Sequence, residues 1–255
     1  MLKIIANVLL FLFLTVNAYA CGAVGLMMAS GSSAAAASCD SCTGGVLFSA
    51  YFESTSDVTT GTPCGCSAGD TTGAANDSAT IESGYINSAD ALKYFAWDVS
   101  SDDICKDTEG SVLIKYEYST SLTLAQLFHL FGETNQNRLY IAMSSADDLT
   151  VVHEGADAGI TTAATTGVAT TSADTQYYVI ARWITGAADK NLYIGIFDTS
   201  GNLRNSAGES TTDLTAFDVQ AAANGLRIGN DTANEAGIKI HSIKIWDTYA
   251  GAALP

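Results

Sequence analysis

SVLIKYEYS, residues 111–119, is the stretch whose reading decides the fold. Val112, Ile114, Tyr116 and Tyr118 fall on one face, and Leu113, Lys115 and Glu117 on the other. A period of two belongs to a β-strand, whose successive side chains point to opposite sides. The same period recurs on both sides of it. VLFSAYF (46–52) is the first convincing strand, and RLYIAM (138–143) places Leu139, Ile141 and Met143 together. LTVVH (149–153) is short, with turn residues at both ends. QYYVIARWIT (176–185) and NLYIGIF (191–197) follow, then the turn Asp198-Thr199-Ser200-Gly201-Asn202. Leu226 to Ile228 and Ile238 to Trp246 finish the series. Residues 122–131 read as either a short helical turn or a strand running into Gly132, and Thr59 to Ser78 as a long loop. Neither of the two prolines, Pro63 and Pro255, falls in a strand. No long helical period and no repeat of 20–50 residues is present, which argues against solenoids and propellers. Ten to thirteen short strands with Gly, Asn, Asp and Ser turns predict an all-β fold, a jelly-roll sandwich of two antiparallel sheets.

The first twenty residues carry a different message. Lys3 precedes an apolar run from Ile4 to Val16, and Ala18-Tyr19-Ala20 fits the small-x-small pattern of a signal-peptidase site. The run is too short for a membrane span, which takes about 20 apolar residues. The expected organisation is a signal peptide over 1–20, a small-residue leader with a CxxC over 21–44, and the β domain over 45–255. The expected location is secreted, periplasmic or cell-surface. Cys21 would be the first mature residue, although Asn17 and Tyr19 fit a lipoprotein signal poorly.

The chain has 11 Lys+Arg against 27 Asp+Glu, a net charge of −16. Loss of Lys3 with the leader leaves 10 against 27, or −17. Such acidity speaks against nucleic-acid partners and anionic membrane surfaces, and it favours solubility. The six cysteines are Cys21, Cys39, Cys42, Cys64, Cys66 and Cys105. In an oxidising compartment they are expected to form disulfides that staple the loop-rich N-terminal third. The competing reading is a four-thiolate zinc site from Cys39-x-x-Cys42 and Cys64-x-Cys66, for which C-x-C is tight. A redox C-x-x-C would need a βαβ setting that is missing here.

In the last strand, Ile240, Ile243 and Ile245 are expected to be buried and Lys239 and Lys244 exposed. The spacing 240, 243, 245 breaks strict alternation and implies a bulge near His241-Ser242.

The order of these strands resembles the concanavalin A-like lectin/glucanase superfamily in its laminin-G-like branch. Tyr177-Tyr178-Val179-Ile180-Ala181 matches the branch's "wyhva" strand, Leu192-Tyr193-Ile194 its "lyvdG" hairpin, and Ile240 to Asp247 its closing "idevriwd". The likeness covers roughly residues 45 to 252. The hairpin's aspartate and glycine are shifted to Asp198 and Gly201. Glycosidases of the superfamily carry two carboxylates on one strand, as E-x-D-x-E or E-x-x-E. No strand here has that spacing: Glu117 stands alone in its strand, and Glu154 and Asp157 read as part of a glycine-bearing turn.

The resemblance therefore implies binding without catalysis: a laminin-G/lectin-like module for glycans or extracellular proteins. The alternatives are a self-associating subunit of a filament or surface layer and, behind both, a carbohydrate-active enzyme. It also implies calcium at a sheet rim, for which Asp102, Asp103, Asn230 and Asp231 are candidates. Aromatic platforms and polar side chains on a sheet face would take the glycan, making Arg138, Tyr140, Tyr178, Arg182 and Trp183 the ligand candidates. Aromatic residues in strands more often pack the core, and arginines there more often make surface ion pairs, with Glu117 the partner in view. His129, His153 and His241 lack metal-site spacing. No G-x-S-x-G elbow, phosphate loop or dinucleotide fingerprint occurs.

Overall fold

The computed structural model describes residues 45–52, 74–75, 79–87, 92–97, 109–118, 125–131, 138–143, 148–154, 161–165, 171–185, 191–209, 225–229 and 237–255. All lie in one unit, Ala37–Pro255. The segments expected to be a signal peptide and a leader, all six cysteines, Asp157 and the calcium candidates Asp102, Asp103, Asn230 and Asp231 lie outside the described residues.

Fifteen strands and no helix occur among the described residues. They form two antiparallel sheets. The first runs β13 (Leu203–Glu209), β12 (Leu192–Asp198), β11 (Tyr177–Ile184), β6 (Glu109–Tyr118), β15 (Ile238–Trp246), β4 (Tyr85–Asn87) and β3 (Ile81–Glu82). β1 (Val46–Tyr51) also pairs with β15, beside its C-terminal half. The second runs β10 (Thr161–Thr165), β9 (Leu149–Glu154), β8 (Arg138–Met143), β7 (Ala125–Phe131), β14 (Leu226–Gly229), β5 (Tyr94–Trp97) and β2 (Ala74–Ala75). The all-β sandwich expected from the alternation is what the chain forms.

The alternation explains why. Val112, Ile114, Tyr116 and Tyr118 of β6 are buried in one core with Leu139, Ile141 and Val151 of the opposite sheet. Burying each large apolar side chain contributes about 1.5–3 kcal/mol. Phe48 of β1 meets Trp97 of β5 edge-on across the core, with ring centroids 5.4 Å apart. Residues 125–131 are a strand, not a helical turn. A register shift between Gln126 and Phe128 turns both Leu127 and Phe128 inward, which blurs the alternation there. The loop expected over 59–78 contains the short strand β2.

The last strand behaves as its spacing requires. Ile240, Ile243 and Ile245 are fully buried, and the register shifts between Ile240 and Ser242. Lys239 and Lys244 point outward but are half-buried rather than exposed, because each lies over a tyrosine ring. The turn between β12 and β13 is the one read from sequence. Asp198 Oδ1 accepts hydrogen bonds from the Ser200 and Asn202 backbone N–H groups, and Gly201 takes φ +84°. Only glycine adopts that φ without strain. The Asn202 amide and Arg204 complete the cap, and they hold the Asp198 carboxyl below its ordinary range.

Candidate functional site: the outer face of the second sheet

The sequence alternation that turns Phe95, Ile228, Leu139, Ile141 and Val151 into the core turns their strand neighbours outward. Ala96, Arg227, His129, Tyr140 and Val152 stand in one row across β5, β14, β7, β8 and β9. Arg138 lies on the same face and directly opposite Glu154. Its Nε and Nη2 donate to the two Glu154 carboxylate oxygens at 2.6 and 3.1 Å. The pair is partly exposed, 27 % and 21 %, so its contribution to stability is at most about 1 kcal/mol. Its value is in orientation, because a two-pronged contact fixes both planes.

The Arg138 guanidinium lies 5.1 Å from the Tyr140 ring centre, and the His129 ring packs 5.4 Å away on the same tyrosine. At the other end of the row, Arg227 lies 5.1 Å from the Tyr94 ring. Burial, then the neighbouring Glu154 charge, pushes the Tyr140 phenol up despite Arg138. The phenol therefore stays protonated and remains a donor. Ala96, His129 and Val152 in the row are themselves buried, so what the face presents is the half-buried set Arg227, Tyr94, Tyr140, Arg138 and Glu154, with the Tyr140 phenol hydrogen-bonded to Glu154.

The five ligand candidates separate in space. Arg138 and Tyr140 come together on this face. Tyr178 lies on the outside of the other sheet. Arg182 is not paired with Glu117. Its Nη2 donates to the Ala252 carbonyl at 3.1 Å, and its guanidinium sits between the Tyr193 and Tyr249 rings, so it straps the C-terminal segment to the first sheet. Trp183 is fully buried and offers no face to a ligand. Arg227, Tyr94 and His129 escape a sequence reading, because only cross-strand register brings them beside Tyr140. Glu154 is the last residue of β9 and not part of a turn. Among the described residues no group of three or more His, Cys, Asp and Glu is arranged to hold a metal.

Glu117 belongs to a separate cluster on the first sheet. It accepts from Lys239 Nζ and lies 3.7 Å from His241 Nε2. The Glu117 contact raises the Lys239 pKa. His241 goes the other way. Burial, then the Lys115 charge, lowers it below the ordinary histidine value of about 6.5, outweighing the Gly84 carbonyl and Glu117. A histidine depressed by folding binds fewer protons in the native than in the unfolded state. Its contribution is fully present above about pH 6.5 and is lost as the pH falls through the folded value. The melting temperature of the wild type is therefore expected to fall more steeply between about pH 7 and pH 5 than that of His241→Gln. Equal slopes in a pH series of thermal melts would remove His241 as the source.

No family model matches the chain, and no curated protein matches it. Solved structures similar to it include the CBM40 module of a Ruminococcus gnavus IT-sialidase bound to α2,3-sialyllactose. It shares 14 % identity over 64 % of this chain and 88 % of that one, at a TM-score of 0.42. A protein of unknown function from Shewanella oneidensis is 16 % identical over 72 % of this chain and 81 % of that one, at 0.47. The NanB sialidase of Streptococcus pneumoniae is 16 % identical over 64 % of this chain, at 0.46, and the chain spans only 26 % of its length.

Proposed function

We propose that this chain is an exported, non-catalytic glycan-binding module of the laminin-G-like kind, and that the outer face of the second sheet holds the glycan. The observation that carries the reading is the half-buried set Arg227, Tyr140, Arg138 and Glu154 that cross-strand register gathers on this face. Sugars present hydroxyls that need paired donors and acceptors, and ring faces that pack on aromatic side chains. Both are supplied here by side chains already fixed before a ligand arrives, which lowers the ordering cost of binding. Export is supported by Lys3, the apolar run and Ala18-Tyr19-Ala20.

The absence of catalysis has its own support. Glycoside hydrolysis ordinarily uses two carboxylates flanking the scissile bond. Glu154 is the only carboxylate in the seven strands of the second sheet, and Arg138 holds both its oxygens. Among the described residues, a single acid so engaged has no second carboxylate in the strands of its own sheet.

A glycan array, followed by a reducing-sugar assay on each hit, tests the proposal. Binding without sugar release is expected. Arg138→Gln and Arg227→Gln should each weaken it about tenfold or more, the loss of one charge-assisted hydrogen bond. Sugar release abolished by Glu154→Gln would make the protein an enzyme. Silence across the array would favour the filament or surface-layer subunit.

A further inference from the structure

We propose that the outer face of the first sheet carries a second, separate binding site, for a small ring-bearing carboxylate. Strand register builds it. Phe197, Tyr178, Lys115, Ser242 and Tyr51 form one row across β12, β11, β6, β15 and β1. Lys244 lies two residues beyond Ser242 on the same strand, with its Nζ 5.8 Å from the Tyr51 ring centre. The C-terminal segment forms the opposite wall. It is tied to the sheet by Ser111, whose hydroxyl donates to the Thr248 carbonyl and accepts from the Ala252 N–H, both at 2.8 Å. Between sheet and segment lies a cavity of about 510 Å³, within the range of about 300–1,000 Å³ typical of small-molecule sites.

The lining decides the ligand class. Among the described residues, Lys115, Lys244 and His241 contribute to its walls and no acidic side chain does; the one carboxylate in the lining is the terminal one of Pro255, set against the two lysines. Two ammonium groups facing one cavity create a positive potential that an anion satisfies, and low-dielectric walls focus it. The neighbouring Glu117 is engaged by Lys239 and lies outside the lining. Burial and then Lys115 oppose a charge on His241, so at neutral pH the imidazole serves as an uncharged polar group. Tyr178 provides an apolar ring face, and the edges of Trp246 and Leu113, both largely buried at 8 % and 7 % exposed, extend it. Ser242 adds a hydroxyl. A carboxylate between the lysines, with its ring against Trp246 and Tyr178, uses every kind of group present. Acidic monosaccharides and aromatic acids share that chemistry.

The chain has three tryptophans, and Trp97 and Trp183 are fully buried in the core, so Trp246 is the reporter for this cavity. Fluorescence and calorimetric titrations of the full chain would compare glucuronate with glucose, and phenylacetate with phenylacetamide. At least one acid should bind and shift the emission, and its neutral counterpart should bind at least about tenfold more weakly. Lys115→Gln and Lys244→Gln should each lose about tenfold in affinity at unchanged melting temperature, while Arg138→Gln on the other sheet should lose none. Trp246→Phe should abolish the fluorescence response and leave a calorimetric one. Glucuronate binding alone identifies an acidic sugar, and phenylacetate alone an aromatic acid. No binding of either acid up to about 10 mM overturns the proposal, as does equal binding of the neutral partners or wild-type affinity in both lysine variants. The array result for the second sheet is independent of each of these.

Discussion

Trp183→Ala is expected to cost about 3–5 kcal/mol of stability, the largest loss of any substitution considered for this protein. Trp183 is fully buried and is among the largest side chains enclosed by the two sheets. It stands opposite Gly110 in the β11–β6 register, and its six-membered ring occupies the space where a Cβ on residue 110 would go. The glycine and the tryptophan therefore form one packing unit. Gly110→Ala should itself destabilise by about 1–3 kcal/mol through overpacking, because the indole has no exposed side toward which to retreat. Removing the indole also relieves that clash. The double variant Gly110→Ala/Trp183→Ala should thus lose less than the sum of the two singles, the coupling expected of residues in contact. Urea unfolding of the four proteins measures all three quantities. A Trp183→Ala loss below about 1 kcal/mol would mean that the tryptophan does not fill the core and would return it to the ligand candidates.

Trp183 also shows where reading the sequence succeeds and where it stops. QYYVIARWIT announces a strand, and alternation puts Tyr177, Val179, Ala181 and Trp183 on one face. What alternation leaves open is which face meets the other sheet and which meets solvent. That choice depends on partners distant in the chain. The long strands β6, β11, β12 and β15 are legible because they are central and buried on the core side, so apolar residues must recur at every second position. The bulge in β15 is legible for the same reason, since a broken period on a buried face must be mended by the backbone.

β13, β3, β4 and β10 are not legible. β13 lies at the edge of its sheet and turns Asn205 and Ala207, not large apolar residues, to its covered side, so LRNSAGE carries no apolar alternation. β3 and β4 have two and three residues, too few for a period to be seen. The candidate face suffers from non-locality in another way. Arg138 and Tyr140 are two residues apart on β8, so strand alternation alone puts them on one face. Arg227 sits in the four-residue strand LRIG, where nothing signals that β14 is inserted between β5 and β7. Topology, not local pattern, completes the row.

Ile245→Ala is expected to cost about 2–5 kcal/mol, the cavity cost of a core isoleucine. The site is enclosed on every side. Ile245 is fully buried, pairs with Val112 on β6 and faces Phe48 on β1, both also fully buried. β15 is hydrogen-bonded along one edge to β6 and along the other first to β4 and then to β1, so its backbone has little freedom to collapse into a void. Poor collapse places the loss toward the upper part of the range. Lys244→Gln, one residue earlier, provides the contrast. It points to the opposite side of the same strand, and its aliphatic stem rests beside Tyr51, so its loss should stay within about 0.5 kcal/mol. Both values come from the same urea titrations. A small effect for Ile245→Ala would show that β15 does not close the core, and the two-sheet architecture would fail with it. A large effect for Lys244→Gln would instead place that lysine inside the packing, which would remove it from the walls of the cavity where it is assigned to meet an anion.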